Sequence, residues 1–319
     1  MTWSFGVVFL SILPLLTVRG IYVSDNTGFR LLYFYKAYEL GIHSQIPLPE
    51  LVAVDSVSED VTIRVRQLDT SERIATRNGA YCLGEADGVG TFLVRGGKEI
   101  IAEPVPGVEE SLLCTTLLGA GMALLLRQRG LAVLHASGIV INGGTVAFLG
   151  QSGFGKSTLA EAFYSHGYGV ITDDVMGVHL DGPFPEVIPG YPFVKLFPHA
   201  AALLGSDTRP THRLNSQTEK RSHCVRSRFP HQRVRLQKIY VLAFGECNQI
   251  APLSAQETFL ELARNSRAVG LLRDTDSRNE HLQQCTRLAA AVPVFRLTRR
   301  PALTALPELV GLIEKDLAQ

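Results

Sequence analysis

The feature that most constrains this chain is the run Gly150-Gln151-Ser152-Gly153-Phe154-Gly155-Lys156-Ser157, which fits G-x-x-x-x-G-K-[ST]. Glycines at these places let the backbone curl so that its N–H groups point inward at phosphate oxygens. Such a loop needs a strand before it and a helix after it, because the helix N-terminus adds its positive dipole end. Val146–Leu149 reads as that strand and residues 157–165 as that helix. By ordinary residue frequencies a chance match in a chain of this length is about 1%. The loop therefore predicts a nucleotide site in an α/β unit. Gly150, Ser152, Gly153, Phe154, Gly155, Lys156, Ser157 and Thr158 hold the phosphates, Lys156 reaches the β- and γ-phosphates, and Ser157 ligates magnesium.

The strand after this helix, Gly169–Thr172, runs into Asp173-Asp174. Adjacent carboxylates on a strand point to opposite faces, so only one faces the loop unless the chain turns there. One of the two is expected to hold Mg²⁺ and the other to accept a hydroxyl proton. A turn-forming Asp pair is the plainer alternative. His135 lies in Leu134-His135-Ala136-Ser137, inside an apolar stretch, where a lone His is most often a hydrogen-bonded core residue.

Around this centre the chain divides into three. Residues 1–30 include the apolar run Trp3–Val18, broken by Pro14 and lacking the basic start of a secretory signal. The run is too short to span a bilayer. It is read as a disordered terminal segment, with a membrane-associating one as the alternative, and no stable membrane insertion is expected. Residues 31–108 read as a small β-rich module, with strands at Leu31–Glu39, Val61–Val65, Tyr81–Leu83, Thr91–Val94 and Glu99–Ala102 between glycine turns. Residues 109–319 read as the P-loop domain. It begins with a helix, Glu109–Gln128, on which Leu112, Leu113, Leu117, Leu118, Met122 and Leu125 recur at helical spacing. Residues 131–141 read as one strand. Further on come a strand at Ile239–Ala243, helices at Ala255–Arg264 and Asn279–Ala290, a strand at Val294–Thr298 and a helix at Leu303–Leu317.

Composition sets outer limits. With 46% hydrophobic and 19% charged residues the chain can build a packed core. A net charge of +1 gives no global affinity for nucleic acid. The basic residues are local: Arg209, Arg213, Lys220, Arg221, Arg226, Arg228, Arg233, Arg235 and Lys238 share residues 205–238 with few acids. This stretch is read as a solvated loop, a dock for an acidic substrate, or a nucleic-acid patch. Phe229 is its one interleaved aromatic, so base stacking is poorly supported and no nucleic-acid partner is expected. The five cysteines are scattered and form no C-x-x-C, which reads as reduced thiols in a cytoplasmic protein.

Leu134-His135-Ala136-Ser137, the loop Gly150–Ser157 and Tyr168-Gly169-Val170-Ile171-Thr172-Asp173-Asp174 together resemble the kinase domain of HPr kinase/phosphorylase, in order and in spacing. Looser motifs resemble HPr-kinase-like tailoring kinases of lasso-peptide and related bacterial biosynthetic clusters. They are Tyr35–Gly41, Pro47–Leu51, Arg129-Gly130-Leu131 and Pro189-Gly190-Tyr191-Pro192. The resemblance implies a phosphoenolpyruvate-carboxykinase-like P-loop fold, a mixed sheet with packed helices. It implies ATP- and Mg²⁺-dependent transfer to a serine hydroxyl of a peptide or protein, such as a lasso-type precursor. Asp174 would be the base, Asp173 would lie nearer the metal, and His135 would sit by the transferred phosphate or orient the base. Gln151 and Thr158 stand where HPr kinases carry Asp and Glu, so action on HPr itself is not implied. A kinase of a small alcohol or free amino acid, and a nucleotide-binding regulator without transfer activity, are the other readings. An oligomer is compatible with all of them.

Overall fold

In a computed structural model, residues 7–10, 18–25, 28–75, 82–206, 211–272 and 274–318 are described, so that Trp3, Tyr81 and Arg209 lie outside the described residues. The chain forms two compact units, Met1–Arg129 and Gly130–Gln319.

The first unit contains β1 (Val7–Leu10), β2 (Val18–Asp25), β3 (Gly28–Ala37), β4 (Leu40–Ser44), β5 (Val52–Ala53), β6 (Val61–Val65), α1 (Thr70–Ala75), β7 (Cys82–Ala86), β8 (Gly90–Arg95), β9 (Glu99–Pro104) and α2 (Glu110–Gln128). Its strands form one nine-stranded sheet in the order β1-β2-β3-β4-β6-β9-β8-β7, with β5 on β3. The β4-β6-β9 pairings are parallel and the rest antiparallel. Within the segment expected to be disordered, Val7–Leu10 and Val18–Asp25 pair as antiparallel strands.

Helix α2 belongs to this unit, so the compact boundary falls after it and not at 108/109. The reason is packing and polar anchoring. Leu113, Leu117, Leu118, Met122 and Leu125 are buried, and Gly121 lies against Ile100 of β9. At its end, Gln128 Nε2 donates to Val94 O (2.7 Å), Gly97 N donates to Gln128 Oε1 (2.9 Å), and Arg129 Nη1 donates to Gly97 O (2.8 Å). A π-helical turn at Leu117–Gly121 interrupts the helix. By length and composition α2 could cross a bilayer, but its window is mostly buried in protein.

The second unit is mixed α/β. Its strands are β10 (Ala132–Leu134), β11 (Ser137–Ile141), β12 (Gly144–Leu149), β13 (Gly169–Thr172), β14 (Met176–His179), β15 (Glu186–Val187), β16 (Phe193–Leu196), β17 (Thr211–Arg213), β18 (Arg221–Cys224), β19 (Val234–Phe244), β20 (Gln249–Pro252) and β21 (Val294–Arg299). Its helices are α3 (Lys156–Ser165), α4 (Pro198–Leu203), α5 (Ala255–Arg264), α6 (Thr275–Ala291) and α7 (Leu306–Leu317). The main sheet runs β10-β14-β15-β19-β12-β11-β13, and β21 adds to β19 with β20 beyond it. β16, β18 and β17 form a separate small sheet in that order.

Strand β12 is buried along its length, as a central strand covered on both faces must be. Val146 and Phe148 pack with Leu159 and Phe163 of α3 and with Leu309, Val310 and Ile313 of α7. Ala147 and Leu149 pack on the opposite side with Leu262 of α5 and Cys285 and Leu288 of α6. The result is three layers with the sheet in the middle.

Two expectations change here. The single strand expected at 131–141 breaks at His135-Ala136: β10 pairs with β14, and the chain then crosses to pair β11 with β12. The basic stretch 205–238 is not one loop. It supplies β17, β18 and the first part of β19, which starts at Val234.

Candidate active site

Strand directions bring the site together. β11 is antiparallel to both β12 and β13, while β12, β19 and β21 are mutually parallel. The carboxyl ends of β12, β13, β19 and β21 therefore share one edge with the start of β11. That edge receives the loop after β12, the Asp pair after β13, Phe244 at the end of β19, Arg299 at the end of β21, and the His135–Ser137 crossover.

The loop takes the conformation its glycines allow, with φ of 144° at Gly150, 87° at Gly153 and 86° at Gly155. Ser152 and Gly153 form its exposed tip, and Thr158 lies in the first turn of α3. No side chain caps α3, so its first amides remain for an anion. Three residues outside the loop hold it. Gly150 N donates to Asn265 Oδ1 (2.9 Å). The buried Arg299 donates to Phe154 O through Nη2 (2.6 Å) and Nε (3.2 Å). Phe154 packs on Phe244 with ring centroids 4.8 Å apart. A Cβ on Gly155 would sit 2.4 Å from Arg299 Nη2. Gly155→Ala is therefore expected to cost about 1–3 kcal/mol of strain and to weaken nucleotide-analogue binding at least about tenfold. Titration of an analogue alongside a thermal melt measures both, and unchanged affinity would mean that phosphates do not use this loop conformation.

Lys156 is buried, with Nζ donating to Gly150 O (2.7 Å) and Gln151 O (3.3 Å). Burial pulls its ammonium down to about 8, against the opposing attraction of Asp173 and Asp174. A phosphate beside it would favour the charged form further.

The chain turns sharply at the Asp pair, so both carboxylates face the loop edge. Asp174 has φ of 74°, a left-handed conformation that Asp tolerates better than most residues. Thr172 Oγ1 braces the turn by donating to Val175 O (2.7 Å). Asp173 is 3% exposed. Its Oδ1 accepts from Ser157 Oγ (2.9 Å) and Ser137 Oγ (2.5 Å), and its Oδ2 accepts from Lys195 N (3.0 Å).

Asp174 meets basic side chains instead. Oδ2 lies 3.0 Å from Lys195 Nζ, and Oδ1 lies 3.1 Å from Arg267 Nη2 and 3.0 Å from His135 Nδ1. Burial alone would raise its carboxyl. Lys195, the His135 hydrogen bond and Arg267 outweigh burial and hold it well below the usual carboxylate range. Arg267 arrives because Asn265-Ser266-Arg267 runs beside β10. Arg267 N donates to Val133 O (2.9 Å), His135 N donates to Asn265 O (2.7 Å), and Leu134 bridges to Ser266.

The residues fit a magnesium ion held in part by a nucleotide. Ser157 and Asp173 already share a hydrogen bond and offer hard oxygen donors. Among the described residues no three His, Cys, Asp or Glu side chains form a cluster suited to a metal. Mg²⁺ suits such a site, since it takes one or two protein ligands and completes its shell with phosphates and water.

Every sequence-expected residue thus lies at one sheet edge, on the loop beside it or in the first turn of α3. Sequence reasoning missed Ser137, Lys195, Asn265, Arg267 and Arg299. Lys195 carried a signal, as a lone cation in the apolar run Phe193-Val194-Lys195-Leu196. Nothing local marked the others.

No family model and no curated protein matches this chain. Among solved structures it is similar to the HPr(Ser) kinase/phosphatase from Coxiella burnetii, at a TM-score of 0.31 and 11% identity, over 59% of this chain and 99% of that one.

Proposed function

We propose that this chain is an ATP- and Mg²⁺-dependent kinase that moves a γ-phosphoryl group to a serine hydroxyl of a peptide or protein. The observation that carries the reading is the meeting of the phosphate loop, the Ser157–Asp173 pair and the His135–Asp174 pair at one sheet edge. A phosphate-binding regulator needs no second carboxylate held in place by three other side chains. The phosphoenolpyruvate-carboxykinase-like P-loop fold, the cytoplasmic setting and a lasso-type precursor as acceptor belong to the proposal and follow from the sequence resemblance.

In this reading the amides of Gly150–Gly155 and the Lys156 ammonium hold the β- and γ-phosphates. Ser157 and Asp173 hold Mg²⁺, which when bound neutralises charge on the phosphate oxygens. The acceptor oxygen forms a bond to the γ-phosphorus as the bond to the bridging oxygen breaks, releasing ADP. The hydroxyl proton passes to the Asp174 carboxylate. A carboxylate held so far below its usual range is a weak base. Its larger contribution is to align the hydroxyl, with proton transfer late in a loose transition state. His135 and Arg267 fix its orientation.

The test is mass spectrometry of a serine-peptide pool incubated with the full chain, ATP and Mg²⁺. The expected result is a gain of ~80 Da, one phosphate, on some peptides, absent with Lys156→Ala. ATP binding without any phosphorylated peptide would sink the peptide-kinase reading in favour of a small-molecule kinase or a sensor.

A further inference from the structure

The small β16-β18-β17 sheet starts at the catalytic pair and ends in positive charge that has no ion pair among the described residues. Lys195, on β16, touches both aspartates, through N to Asp173 and through Nζ to Asp174. Two residues later Phe197 is 38% exposed, with the Lys220 ammonium 5.1 Å from its ring centroid. Lys220 is close enough to the phosphate loop to repel the Lys156 ammonium. Next to Lys220, Arg221 stands directly opposite Arg213 across the strand pair. Both arginines are exposed. Like charges directly opposite on a sheet destabilise it. Arg213 donates to Ser216 O (3.2 Å) and Thr218 O (3.3 Å) of its own hairpin, neutral acceptors that carry no balancing charge. Among the described residues none of Arg213, Lys220 and Arg221 has an ion pair, and Glu219 is the one acid between residues 211 and 228.

Resting on the kinase reading above, we propose that this sheet is the acceptor dock and that it takes an acidic peptide segment. The segment lies along Phe197, Lys220, Arg221 and Arg213, with its serine presented to Asp174. Carboxylates flanking the serine relieve the Arg213–Arg221 repulsion, so binding is selective for charge and sensitive to salt. Guanidinium forks suit carboxylates by geometry as well as by sign. Phe197 supplies an apolar contact between the charges and the catalytic edge. A nucleic acid would meet the same charge but finds no run of aromatics to stack on.

The experiment uses two serine-peptide pools of equal length, one flanked by Asp and Glu and the other by Lys and Arg. Phosphorylation of each is followed by mass spectrometry, and binding of labelled pools by fluorescence anisotropy without ATP at low and high salt. The full chain is compared with Arg213→Glu/Arg221→Glu and with Arg213→Glu alone. The wild type is expected to prefer the acidic pool by about tenfold or more at low salt, a preference that shrinks as salt screens it. The double variant is expected to reverse the preference with KM for ATP unchanged. The single variant, whose new carboxylate pairs with Arg221, is expected to lose the preference without reversing it. Equal treatment of the two pools by the wild type overturns the proposal. So does a double variant that still prefers acidic peptides, or tighter binding of a single-stranded oligonucleotide than of the acidic pool. Charge-selective binding that reverses in the variant, with no phosphate transferred, supports the dock and sinks the kinase reading.

Discussion

Lys156→Ala is expected to abolish phosphoryl transfer and most nucleotide affinity while leaving the fold intact. The Lys156 ammonium is buried and, among the described residues, bonded to the loop carbonyls Gly150 O and Gln151 O. Its removal deletes a charge and the stem beyond Cβ without orphaning a carboxylate, because Asp173 and Asp174 each keep other partners. Loss of a cation aimed at charge developing in the transition state costs about 10²–10³ in rate, with a further loss in ground-state binding. Circular dichroism and a melt close to wild type, with analogue binding gone, is the expected pair of results. A variant that binds ATP as well as wild type would show that Lys156 does not meet the phosphates.

Asp174→Asn is expected to separate chemistry from nucleotide binding. The loop, Lys156 and the Ser157–Asp173 pair are untouched, so analogue affinity stays near wild type. The amide cannot take the hydroxyl proton, and loss of a positioned base costs about 10²–10⁴ in kcat. It also faces Lys195, Arg267 and His135 without a charge, which costs about 1–3 kcal/mol of stability and lowers the melting temperature. Full transfer activity in this variant would remove Asp174 from the mechanism and leave Asp173 as the remaining carboxylate at the site. Equal loss of ATP affinity and of kcat would instead place Asp174 among the metal ligands.

Much of the second unit was legible because its signals are local. Val146–Leu149, Gly169–Thr172 and Ala255–Arg264 were read from short apolar runs and helical periodicity, and the structure gives β12, β13 and α5 at nearly those bounds. Gly96-Gly97, with φ of 61° and 62°, marks the β8–β9 hairpin openly. The β3–β4 hairpin turns through Tyr38 and Glu39 with φ of 54° and 61°, residues that carry no turn signal, and β4 was missed for that reason. Strands β16, β17 and β18 are three or four residues each and sit among polar and basic residues, where alternation has too little length to register. Helix α2 was found at nearly its true bounds, but its partner sheet was not, since an apolar face does not say which surface covers it.

The sequence by itself determined the glycine-rich loop Gly150–Ser157, its flanking strand and helix, and the order His135, Lys156, Asp173-Asp174. Each rests on backbone freedom, dipoles or residue chemistry within a few positions. Only the tertiary structure decided that both aspartates face the loop, because that follows from the turn at Asp174 and not from strand alternation. It also decided which cations surround them. Lys195 and Arg267 lie 21 and 93 residues beyond Asp174 and reach it through a small sheet and an edge bridge, contacts that chain periodicity does not encode.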